Sequence, residues 1–147
     1  SLFSRHARYR PDHLAVVFED QRLTWLAFNK QINRLANAFV DLGIQKGDKV
    51  TTILPNCLEL LEIYWAIAKI GAVVVPASTL LLEQAMKTLL QDSDSVLLIT
   101  NSQFVEKIEF HLLVFKDGFN NQVGVGDHFK IAGADDPGQD IMQLIRI

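Results

Sequence analysis

A single cysteine, Cys57, follows Leu54-Pro55-Asn56 and opens an apolar run. A thiol in the first turn of a helix feels the positive end of the dipole, which favours the thiolate that does nucleophilic chemistry. That chemistry also needs a base, and no histidine lies within a motif-like distance in sequence. The favoured reading of Cys57 is a small residue at a helix start. His6, His13, His111 and His128 are dispersed and fit neither H-E-x-x-H nor H-x-x-x-H, which argues against a metal site. Asp135, Asp136 and Asp140 could gather a cation, but they occupy a polar turn before a strand, where aspartates are common. Gly124-Val125-Gly126 begins like a dinucleotide fingerprint, yet it lacks the third glycine and neither follows a strong strand nor opens a clear helix. No G-x-x-x-x-G-K-[ST] occurs anywhere. Residue types and spacing therefore name no catalytic, cofactor-binding or metal-binding position.

Composition narrows the class further. A chain of 147 residues is one domain by size and long enough to bury a proper core. Its 14 basic and 17 acidic residues give a net charge of −3 and are scattered, so no basic stripe points to nucleic acid. One cysteine excludes a disulfide framework and a thiolate zinc site within the chain, and fits a reducing, cytoplasmic compartment. Positive charges near residue 10 are not followed by an apolar core, so no signal peptide is expected. Between Ile63 and Leu82 the only charge is Lys69, long enough to imitate a membrane span. Gly71 and Pro76 interrupt it, and its composition turns β-branched midway. A helix followed by a buried strand is expected instead, with no transmembrane segment.

The elements follow from pattern. Residues before Arg10-Pro11-Asp12 form a short helix or ordered arm. Leu14–Phe18 and Leu23–Trp25 flank the polar Glu19-Asp20-Gln21-Arg22, a hairpin signal without a turn glycine. Thr24 is placed to cap a helix whose apolar face is Phe28, Ile32, Leu35, Ala36 and Phe39, ended by Gly43. Lys49–Leu54 reads as a strand closed by Pro55. Asn56 with Glu59 predicts a capping box for the next helix, apolar nearly all round, with Glu59, Glu62 and Lys69 as a thin polar stripe. Gly71 ends it, and Ala72–Val75 reads as a strand buried on both faces, closed by Pro76. A helix over Leu81–Leu90, a strand over Val96–Ile99, a short helix from Asn101 or Ser102 to Glu109 and a strand over His111–Phe115 follow. Such alternation predicts an α/β fold, a mostly parallel sheet with helices on both faces, preceded by an N-terminal β-hairpin. Residues 1–147 are expected to be a single partial domain: hairpin and alternating units over 1–115, a glycine-rich excursion over 116–140, and a terminal strand over 141–147.

Four stretches, taken together, resemble a known family. "RPDHLAVVFEDQRLTW", "NRLANAFVDLGIQKGDKV", "LPNCLELLEIYWAIAKIGAVVVP" and "LLQDSDSVLLIT" come in the order and spacing of the start of the AMP-forming acyl-CoA synthetases, of the adenylate-forming superfamily, over about residues 3 to 103. "LPN" and "GAVVVPAS" look more like the CoA ligases than the peptide-synthetase adenylation domains. Ala27 stands where a Glu often completes a capping box, and "PASTLLLEQ" lacks the Asn and Pro common after that strand.

The resemblance implies an incomplete N-terminal subdomain of the adenylate-forming fold. It also implies a chemistry: a carboxylate attacks the α-phosphate of ATP, expels pyrophosphate, and the acyl group passes from AMP to the thiol of CoA. In the family a strand similar to "DIMQLIRI" leads to a phosphate loop of the type T-S-G-T-T-G-x-P-K-G. Here Arg146-Ile147 stand where Tyr-Thr would be, and the loop is absent. ATP, Mg²⁺ and CoA are thus expected for the full-length family and none bound to these residues alone. The expected partner is the remainder of the synthetase, with a small-molecule carboxylate, fatty acid or related, in the intact enzyme. A truncated gene, a frameshift or a cut chain would account for the ending, and exposed apolar surface would favour self-association. Two rivals remain at this point: an interaction or scaffold half of a split enzyme, and a stand-alone flavodoxin-like binding domain.

Overall fold

A computed structural model describes residues 2–101, Phe104 and residues 142–146. By contacts the chain splits into two units, Ser1–Asp48 with Asn56–Val73, and Lys49–Pro55 with Val74–Ile147. Among the described residues the first holds α1 (Leu2–Tyr9), β1 (Leu14–Phe18), β2 (Gln21–Thr24), α2 (Trp25–Asp41) and α3 (Leu58–Ile70). The second holds β3 (Lys49–Ile53), most of β4 (Val73–Pro76), α4 (Glu83–Asp92), β5 (Ser95–Asn101) and β6 (Met142–Arg146).

In the first unit the expected arm is helix α1. Its Phe3 ring lies against Trp25, Phe28 and Trp65, with centroids 6.0, 5.8 and 4.4 Å away. The hairpin is tighter than the sequence suggests, because Gln21 and Arg22 already pair with Phe18 and Val17. Glu19 takes the left-handed φ of 49° that a glycine would have supplied. The register steps from Leu14↔Thr24 to Val16↔Leu23, so Ala15 is the extra residue of a bulge.

Helix α2 forms as its pattern demands. The Thr24 hydroxyl accepts from the Ala27 N–H, and Phe28, Ile32, Leu35, Ala36 and Phe39 are all buried. At its end Gly43 (φ 84°) donates to the Val40 carbonyl and Ile44 donates to that of Phe39. This paired closure of orphan carbonyls is a Schellman motif. Gly71 (φ 79°) ends α3 in the same way, with N–H groups of Gly71 and Ala72 on the carbonyls of Ala68 and Ile67.

The start of α3 corrects the expectation. Its N-cap is Cys57, whose sulfur accepts from the Leu60 N–H; Asn56 lies one residue too early, and Glu59 falls at the second helical position. The extended backbone at Cys57 (φ −151°, ψ 167°) makes it the residue just before the first helical one, Leu58. The helix is nearly all covered, as its composition implies, with only Trp65 and Ala68 exposed.

In the second unit the sheet order is β4-β3-β5-β6. β4, β3 and β5 form the parallel part, while β6 runs antiparallel to β5, with Asn101 opposite Met142 and Leu97 opposite Arg146. The fold is α/β as expected, with an antiparallel last strand. Ile53 and Leu98 project from one face into a cluster with Met86 of α4, flanked by Ala77, Leu81, Leu90 and Phe104. The strands' other face carries Val50, Thr52, Leu97 and Ile99, equally buried. β4 corrects a second expectation: it ends the described sheet order and leaves Val73 47% exposed, so it is not buried on both faces. A β-branched run reports strand preference, but position within the sheet decides burial.

α4 begins two residues later than its pattern suggests. Leu81 N–H donates to the Ser78 carbonyl in a turn, Leu81 packs against the apolar cluster, and Leu82 caps the helix without a side-chain hydrogen bond. Asn101 belongs to β5 rather than to a cap. The helix expected through Glu109 (apart from Phe104, which is helical), the strand over His111–Phe115 and the glycine-rich excursion lie outside the described residues.

Candidate functional site

Parallel sheets offer ligands the carboxyl ends of their strands, so β3 and β5 are the place to build from. β-branched residues carry β3 through Val50-Thr51-Thr52-Ile53, and Pro55 ends its ladder. At that end the Thr100 hydroxyl donates to the Ile53 carbonyl at 3.0 Å, while at the amino end of β5 the Thr51 and Ser95 hydroxyls share a hydrogen bond of 2.7 Å. Thr52 and Asn101 are buried as well, at 1% and 4% exposure. Neither Thr52 Oγ1 nor Asn101 Oδ1 has a hydrogen-bond partner among the described residues. These side chains are neutral hydroxyls and one amide. They can orient a polar group, but they supply no nucleophile, no base and no cation.

The titratable groups of α3 make a second cluster. Cys57 does not carry the thiolate that a helix start could favour. Burial pushes its thiol up, the Leu60 N–H pulls it back in part, and the Glu59 charge raises it again. A protonated, half-buried sulfur acting as a cap is a poor nucleophile. Burial, with the Glu59 charge as a smaller contribution, raises the Glu62 carboxyl to about 7. One of its oxygens, Oε1, is buried without a partner among the described residues. At the far end of α3, the Lys69 ammonium donates to the amide oxygens of Asn29 and Asn33 on α2, and burial lowers its pKa.

Of the other sequence candidates, His6 and His13 are described, and each packs or bonds locally against Trp25. His6 stacks on the Trp25 ring, 4.6 Å between centroids, while the His13 carbonyl accepts from the Trp25 N–H at 2.9 Å. Among the described residues no three His, Cys, Asp or Glu side chains gather as metal ligands. No described helix is long and apolar enough to cross a membrane; the Ile63–Leu82 stretch is the end of α3, then β4 and the loop after it. His111, His128, Asp135, Asp136, Asp140 and Gly124-Val125-Gly126 lie outside the described residues. Sequence reasoning missed the unusual carboxyl of Glu62, whose only signal was its place inside an apolar helix three residues from Glu59. It also missed the unpartnered polar atoms of Thr52 and Asn101, for which a polar residue in an apolar strand is the sole clue.

Known proteins supply the context. The family model described as AMP-binding enzyme matches residues 3–133. The crotonobetaine/carnitine–CoA ligase of Escherichia coli O1:K1 is 46% identical over 83 residues, which cover 56% of this chain and 16% of that protein. A fatty acyl CoA synthetase of Mycobacterium tuberculosis superposes with a TM-score of 0.69 at 32% identity, over 74% of this chain and 22% of that one. The O-succinylbenzoate–CoA synthetase of Bacillus subtilis, solved with AMP, gives 0.69 at 26% identity, over 75% and 29%. The match thus spans about a sixth of the length of that curated relative. The chain belongs to the AMP-binding enzyme family, the AMP-forming acyl-CoA synthetases, of which it covers only the N-terminal part.

Proposed function

We propose that these 147 residues are the N-terminal supporting wall, one partial domain, of a cytoplasmic ligase that joins a carboxylic acid to CoA through an acyl-adenylate. The observation that carries this reading is the family match over residues 3–133. The carboxylate is read as a fatty acid or a related acid; a carnitine-type acid, the substrate named for the E. coli relative, is the competing class.

Adenylation crowds negative charge around phosphorus and demands backbone N–H groups, a lysine and Mg²⁺ aimed at the phosphates. The described residues do not fit ATP or Mg²⁺ on that standard. The buried polar groups at the sheet's carboxyl end are neutral, and no group of three metal ligands gathers among the described residues. The reading therefore gives no residue here a catalytic role, and the required partner is the rest of the synthetase. Pyrophosphate release from ATP, with CoA and a panel of fatty acids, crotonobetaine and carnitine, tests it. The 147-residue chain should be silent with every acid, and turnover with any of them would refute the assignment.

A further inference from the structure

We propose that Thr52 and Asn101 hold a buried water molecule between them, on the face of the sheet opposite α4. The register pairs Thr52 with Ile99 and Ile53 with Thr100. Side chains alternate along a strand, so Asn101 shares the face of Ile99 and Thr52, while Ile53 and Leu98 turn to Met86 of α4. From strand spacing and rise, the Cβ atoms of Thr52 and Asn101 stand about 8 Å apart on a diagonal. A diagonal of that length is wide enough for one water at hydrogen-bond distance from both oxygens.

The surroundings supply the reason for it. Val50, Leu97 and Ile99 on the same face are 0%, 4% and 0% exposed. In such apolar surroundings two unpartnered polar atoms, Thr52 Oγ1 and Asn101 Oδ1, each cost the full loss of hydration. A water donates one hydrogen to the amide oxygen and either donates to or accepts from the hydroxyl. Because it is donor and acceptor at once, it serves either orientation of the Asn101 amide. Buried waters in folded proteins take this role, with two to four polar partners.

The test is a cycle of melting temperatures on the full 147-residue chain, with Thr52→Val, Asn101→Leu and both together. Valine keeps the shape of threonine and removes the hydroxyl. The expected result is a Tm lowered by about 2–4 °C for Thr52→Val in the parent chain, and no lowering when Asn101→Leu has already removed the other end of the bridge. A Tm that rises or stays put in the parent shows a hydroxyl with nothing to lose, and overturns the proposal. An equal loss in both backgrounds also overturns it, because the hydroxyl then has a partner independent of Asn101. If the Asn101→Leu chain does not fold, the Thr52→Val result is joined by a search for water density between the two side chains in a crystal of the parent, and empty density overturns it.

Discussion

The Thr24 hydroxyl caps α2 by accepting a hydrogen bond from the Ala27 N–H at 3.3 Å, and Ala27 offers nothing in return. A capping box would need Glu or Gln at position 27 to reach back to the Thr24 N–H. Ala27→Glu should therefore raise stability by roughly 0.5 kcal/mol, and Thr24→Ala should lower it by about 1 kcal/mol. Urea midpoints of the two variants and the parent decide both; an unchanged Thr24→Ala midpoint would mean that the cap carries no weight.

Cys57, rather than Asn56, closes the start of α3, so the two positions should respond differently. Cys57→Ser puts a better acceptor on the Leu60 N–H and should be neutral or stabilising, while Asn56→Ala should change stability in urea unfolding by under about 0.5 kcal/mol. Alkylation of Cys57 by iodoacetamide at pH 7 should be slower than that of an unstructured cysteine peptide, because burial keeps the thiol protonated.

Glu62 makes stability depend on pH. Its native carboxyl titrates at about 7, above the 4.5 of an unperturbed glutamate, so between those values the folded chain binds more protons than the unfolded one. Stability tied to this group is fully present below about 4.5 and is lost as pH rises through about 7. With allowance for the exposed part of the side chain, the change is on the order of 1–2 kcal/mol. Glu62→Gln should match the parent near pH 4.5 and exceed it at pH 8. Parallel pH–stability curves for the two chains would contradict this.

Two glycines share a left-handed φ but not their surroundings. A Cβ at Gly71 would meet Lys46 Cγ at 3.0 Å, whereas one at Gly47 meets nothing within 4 Å. Gly47→Ala should cost about 1 kcal/mol from backbone strain alone, and Gly71→Ala more, roughly 1–2 kcal/mol. Thermal melts rank them.

Leu80 and Leu82, 88% and 81% exposed in the turn before α4, should drive self-association. Replacing both with serine should lower binding of a hydrophobic dye and shift sedimentation toward a single monomeric species. Unchanged dye binding would place the sticky surface elsewhere.

Much of this protein was legible in one dimension because the interactions concerned are local. The hydroxyl of Thr24, the buried stripe from Phe28 to Phe39 and the left-handed glycines at 43 and 71 act within a turn of their own helix, so residue type and spacing determine them. The α/β alternation follows for the same reason, and the four family stretches lie in these regular segments.

Tertiary structure decided the rest, where the cause lies far along the chain. A β-branched run announced β4, but in the fold it ends the described sheet order and Val73 is 47% exposed. The direction of β6 depends on its pairing with β5, some 45 residues away in sequence, which no pattern inside "MQLIR" encodes. The carboxyl of Glu62 and the lone polar atoms of Thr52 and Asn101 look ordinary in the sequence and become unusual only through burial. Hydration lost on folding is a property of what surrounds a group, and neighbours brought together by the fold are invisible to spacing alone.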